Sequence, residues 1–74
     1  MDYSRETILK EYCKYCKDRG IDYKKTKSKN NFKTDYILLD VKLNGIENLQ
    51  EKQNKIIETL KYNNLSIKNI YENL

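Results

Sequence analysis

The sequence predicts a small α+β domain in the order helix, β-hairpin, helix, and a short third strand or helix. Three observations lead there. Apolar residues recur at three- and four-residue spacing between positions 8 and 16, and again between positions 46 and 60. Between them lies Tyr36-Ile37-Leu38-Leu39-Asp40-Val41-Lys42-Leu43, the one run apolar and β-branched enough to read as a buried strand. At 74 residues the chain is one domain, 1–74, with no linker, repeat or low-complexity stretch to divide it. A chain this short buries only about 60% of its unfolded surface, so a stability of about 4–8 kcal/mol is expected.

The first helix runs from Ser4 to Arg19. Ser4 or Asp2 serves as N-cap, and Glu6 lies in the positive first turn. Ile8, Leu9, Tyr12, Cys13 and Cys16 share its buried face, and Gly20 ends it as a left-handed C′ residue. Ile21 to Lys27 then alternates as a moderate strand. Ser28-Lys29-Asn30-Asn31 is the turn, and Phe32-Lys33-Thr34-Asp35 leads into the apolar run to complete the hairpin. In that register Ile37, Leu39, Val41 and Leu43 form the core row. The opposite row holds Ile21, Tyr23, Phe32, Tyr36 and Leu38, with Lys25 and Lys27 toward the turn.

Asn44-Gly45-Ile46-Glu47 reads as a capping box opening the second helix, with Asn48 and Glu51 as a rival start. Ile46, Leu49, Gln53, Ile56, Ile57 and Leu60 make its stripe, and Asn63-Asn64 ends it. Leu65 to Lys68 has two readings: a third strand completing a β-α-β unit, or a short helix in which Ile67, Ile70, Tyr71 and Leu74 share a face. The helical spacing of those four favours the helix. The segment QNKIIETLKYNNLSIKNIYENL, Gln53 to Leu74, resembles the first two helices of helix-turn-helix or winged-helix regulators. The resemblance covers the last third of the chain and implies a helical tail. It brings no DNA-reading residues, because those families read DNA with a following recognition helix and this sequence ends at Leu74.

Composition bounds function more than it defines it. Net charge is +4 with pI near 9.0, and 13 of the 15 basic residues are lysine. An anionic partner suits that balance, but only Arg5 and Arg19 offer the planar fork used to read base edges. The 35% charged content does not imply disorder, because the apolar residues are periodic. No signal peptide or membrane span is expected, since the longest apolar run is Tyr36–Leu39. Two cysteines in such a chain point to a reducing, cytoplasmic compartment.

Cys13-Lys14-Tyr15-Cys16 has the Cys-x-x-Cys spacing of zinc and redox sites. Zinc requires four ligands, and with no histidine and no second pair only a dimer donating two pairs would supply them. Redox thiols sit at a helix N-terminus, whereas this pair falls late in a helix. Two thiols packed as small hydrophobes is the plainer reading, so no metal and no cofactor is expected. The absence of histidine and of a glycine-rich phosphate loop makes a non-enzyme the expectation, with no small-molecule substrate.

Lys24, Lys25, Lys27, Lys29 and Lys33 place five positive charges within ten residues, with no acid among them. At a hairpin tip they would touch phosphates, helped by Tyr23, Phe32 or Tyr36 stacking on exposed bases. The competing explanation is a solvated turn whose lysines keep a sheet edge from pairing with other chains. The function expected is therefore a basic module that contacts nucleic-acid backbone without reading sequence. The alternative is a protein-binding inhibitor or adaptor of phage or mobile-element type, acting through the aromatic patch or a helix face. A homodimer is compatible with either.

Overall fold

The chain is helical along nearly its whole length. The computed structural model describes residues 3–62 and 64–74, which form α1 (Arg5–Arg19), α2 (Thr26–Asn44), α3 (Leu49–Tyr62) and α4 (Asn64–Glu72). No strand occurs among the described residues, so the fold is all-α, and the α+β assignment with its β-hairpin is overturned.

α1 forms as its sequence dictates. The Ser4 hydroxyl accepts from Thr7 N–H at 3.2 Å, closing one of the free donors of the first turn. Gly20 sits at φ 64°, ψ 31°, and its N–H returns to the carbonyls of Cys16 and Lys17. Ile8, Leu9, Tyr12, Cys13 and Cys16 are all buried, as the periodicity requires.

α2 replaces the hairpin. The residues expected to turn, 28–31, lie inside it, and so does the whole run from Tyr36 to Leu43. Its inner face is Ser28, Phe32, Tyr36 and Asp40, each four residues from the last, with Ile37 beside them. A contiguous apolar run fits a period of 2 as well as one of 3.6, and here the three-dimensional packing selects the latter. The expected core row therefore splits. Ile37 is buried and Val41 half-buried, but Leu39 is 47% and Leu43 64% exposed. Ile21 and Tyr23 lie in the loop before α2, where Asp22 Oδ1 accepts from Lys24 N–H at 3.0 Å and its carbonyl from Lys25 N–H at 3.1 Å.

Gly45 ends α2 at φ 85°, ψ −177°, donating its N–H to the Val41 carbonyl at 2.9 Å. The expected capping box at Asn44 does not form, because α3 starts only at Leu49, after Asn48 at φ 60°. The Asn44 side chain instead donates to Asp40 Oδ1 at 3.0 Å. In α3, Ile56 and Leu60 are buried, while Ile46 and Ile57 of the expected stripe are exposed. The tail is the helix rather than the third strand, with Ile67 buried and Ile70 and Tyr71 packed on the core. The expected stop at Asn63-Asn64 falls partly outside the described residues, and Asn64 opens α4.

α1 packs against all three other helices, and α2 packs against α3. Where α1 meets α2, Phe32 contacts Tyr12, Tyr15 and Tyr36 edge-on, with ring centroids 5.2, 5.5 and 5.1 Å away. Edge-to-face geometry of this kind adds about 0.5–1.5 kcal/mol per pair beyond the buried area. Cys13 Sγ donates to the Ile67 carbonyl at 3.4 Å and ties α1 to α4. A buried ion pair, Lys52 Nζ to Asp40 Oδ2 at 2.5 Å, fastens the start of α3 to the end of α2.

Candidate functional site

Helix periodicity sorts the five sequence-predicted lysines. Lys29 and Lys33 lie four apart on the side of α2 that faces α3, and both are half-buried. Together with Thr26 and Asn30 they line a concavity of ≈ 270 Å³ whose far wall is Ile57, Leu60 and Lys61. Lys29 also lines an adjoining concavity of ≈ 390 Å³ with Tyr23, Lys24, Asn64, Leu65, Ile67 and Lys68. Lys29 is common to both concavities, which together are termed the groove, and its ammonium donates to Asn64 Oδ1 at 3.3 Å. Lys24, Lys29 and Lys33 are thus brought together, joined by Lys61 and Lys68. Lys25 occupies the N-cap position of α2 without a side-chain capping bond and Lys27 is exposed, and neither lines the groove.

The groove has a uniform sign. Among the described residues no carboxylate lines it. Four of the described acids pair elsewhere: Glu58 with Arg5 at 3.0 Å, Glu6 with Lys10 at 3.0 Å, Asp35 with Arg19 at 4.0 Å, and Asp40 with Lys52. Among the described residues no ion pair involves a groove lysine. The N-terminus of α2 adds to the field, having no side-chain cap and no acid in its first turn.

The three aromatic residues proposed for stacking have separate fates. Phe32 and Tyr36 are 3% and 4% exposed, buried in the α1–α2 interface, and offer no face to a base. Tyr23 is half-buried and lines the groove, its ring 4.7 Å from that of Tyr71 and 5.7 Å from the Lys24 ammonium. The Tyr12 hydroxyl donates to the Tyr23 carbonyl at 2.6 Å and holds that loop in place. Lys61 and Lys68 escaped the sequence reading because each stands alone in sequence. Only the folding of α3 and α4 onto α2 brings them to the charge run.

The cysteine pair carries no comparable arrangement. Both thiols are free and fully buried. Burial, with a smaller push from Cys16, raises Cys13 to about 11, and burial likewise raises Cys16. Such thiols are poor nucleophiles and poor metal ligands at neutral pH. Among the described residues no group of His, Cys, Asp and Glu is placed to hold a metal ion. No described helix is long and apolar enough to cross a membrane. No family model matches the chain, and no curated protein or solved structure is significantly similar to it.

Proposed function

We propose that the chain is a small, non-enzymatic cytoplasmic module that binds nucleic-acid backbone without reading sequence. The observation that carries this reading is the groove between α2 and the α3–α4 junction, where five lysines converge and, among the described residues, no carboxylate joins them. Lysine suits phosphates as a point charge, and the two arginines that would read base edges are turned to Glu58 and Asp35. Buried, unoxidised thiols agree with a reducing compartment.

If all five lysines meet phosphates, log affinity falls with log salt at a slope of about −4.5 on duplex and about −3.5 on single strands. Fluorescence-anisotropy titration at several salt concentrations reads that slope. The triple reversal Lys29→Glu, Lys33→Glu, Lys61→Glu is expected to abolish binding while circular dichroism stays helical. Undiminished binding by the reversed protein would overturn the proposal.

A second reading rests on the other end of α2. Leu38, Leu39 and Leu43, with Ile46 beyond them, are exposed aliphatic side chains of the kind that meet a protein partner. This is the inhibitor or adaptor function, acting through a helix face rather than through the buried aromatic residues. Binding of that kind is indifferent to the lysine reversals, so the same titration separates the two.

A further inference from the structure

Lysines alone do not define the groove, because between its basic walls lies an apolar floor. Leu60 and Ile67, 4% and 1% exposed, form that floor, and Ile57, Tyr23 and the 81% exposed Leu65 flank it. Duplex backbone presents phosphates and sugars on a convex surface and makes no use of such a floor. A duplex major groove takes a protruding helix, whereas these lysines line a recess between helices. Single strands have the complementary arrangement, a flexible line of phosphates with unstacked bases beside it.

We propose that the groove binds single-stranded nucleic acid in preference to duplex, with Tyr23 as the stacking platform for a base. The proposal rests on the backbone-binding reading above and names its substrate class. Phosphates lie along Lys29, Lys33 and Lys61, and bases turn inward over Leu65 toward Tyr23. That ring is preorganised: Tyr71 supports it at 4.7 Å, and the Tyr12 hydroxyl pins its backbone carbonyl at 2.6 Å. The flexible Lys24 ammonium, 5.7 Å from the ring centroid, stands ready to follow the phosphate of the stacked nucleotide.

The test titrates the whole chain with a labelled oligothymidylate and with a mixed-sequence duplex of equal length, at low and moderate salt. The single strand is expected to bind at least about tenfold tighter. Tyr23→Leu is expected to weaken it by roughly 5- to 150-fold, the range for one lost stacked base, and to leave duplex binding unchanged. Tyr23→Phe, which keeps the ring, is expected to retain the preference. Equal or tighter duplex binding with a steep salt slope overturns the single-strand preference and leaves backbone binding standing. Binding of neither polymer overturns both proposals. The comparison of the two polymers on the unaltered chain decides the preference even if Tyr23→Leu fails to fold.

Discussion

Replacing Lys52 with methionine removes the cation opposite Asp40 and keeps most of the side-chain volume. Asp40 is 1% exposed and Lys52 10%, so the surviving carboxylate cannot turn to water. It would keep the Asn44 amide at 3.0 Å and the neighbouring Tyr3 hydroxyl, but no positive charge. Breaking one side of a buried pair costs about 3–5 kcal/mol, against a whole-domain stability of about 4–8 kcal/mol. Urea unfolding followed by circular dichroism at neutral pH should therefore find Lys52→Met close to the edge of folding.

The pH dependence should also reverse. In the parent, burial alone would raise the Asp40 carboxyl, but Lys52, Tyr3 and Asn44 outweigh it and hold it below its ordinary value. Its contribution is therefore present above the unfolded pKa of about 3.9 and is lost as pH falls through the lower folded value. Without Lys52, burial dominates and the folded carboxyl titrates above its ordinary value. The deficit of the variant is then full at neutral pH and shrinks as pH falls toward about 4. Asp40→Leu combined with Lys52→Met should recover most of the loss, because a well-packed apolar pair is often neutral or better. A single variant that loses less than about 1 kcal/mol, the scale of an exposed pair, and keeps the parent's pH profile would refute the reasoning.

Two further outcomes test the helical frame by the same unfolding measurement. Gly20 and Gly45 both have open space where a Cβ would go, so backbone strain alone decides substitution there. Gly20→Ala should cost about 1 kcal/mol in the left-handed region, and Gly20→Asn less; Gly45→Ala, at φ 85° with ψ −177°, should cost about 1–3 kcal/mol. Phe32→Ala should cost about 3–5 kcal/mol, whereas Leu43→Ala, at a 64% exposed position, should stay within about 0.5 kcal/mol of the parent. A strand over residues 36–43 with Leu43 in its core row requires a large loss at Leu43 instead.

The contrast between α1 and α2 explains what was legible in the sequence. α1 carries a side-chain cap at Ser4, a left-handed glycine at Gly20, and an apolar face that is buried in full. Local chemistry and tertiary packing agree there, so the pattern reads directly. α2 has Lys25 where a cap should be and no acid in its first turn, so it has no start signal. Its buried face includes Ser28 and Asp40, which hides the helical period. Asp40 is tolerated inside because Lys52, twelve residues on, neutralises it, and no local window reveals that pairing. The exposed Leu38, Leu39 and Leu43 then complete the appearance of a strand. Likewise the charge run marked half of the groove, and its other half waited on α3 and α4. The rules that α2 breaks concern folding: an uncapped cationic start, and leucines in water at its far end. Neither departure stabilises the isolated chain, whereas an anion at the first and an apolar partner at the second would each make it favourable. Local departures of this kind concentrate at functional surfaces. By that argument α2, the helix the sequence concealed, is also the element on which both proposed binding modes rest.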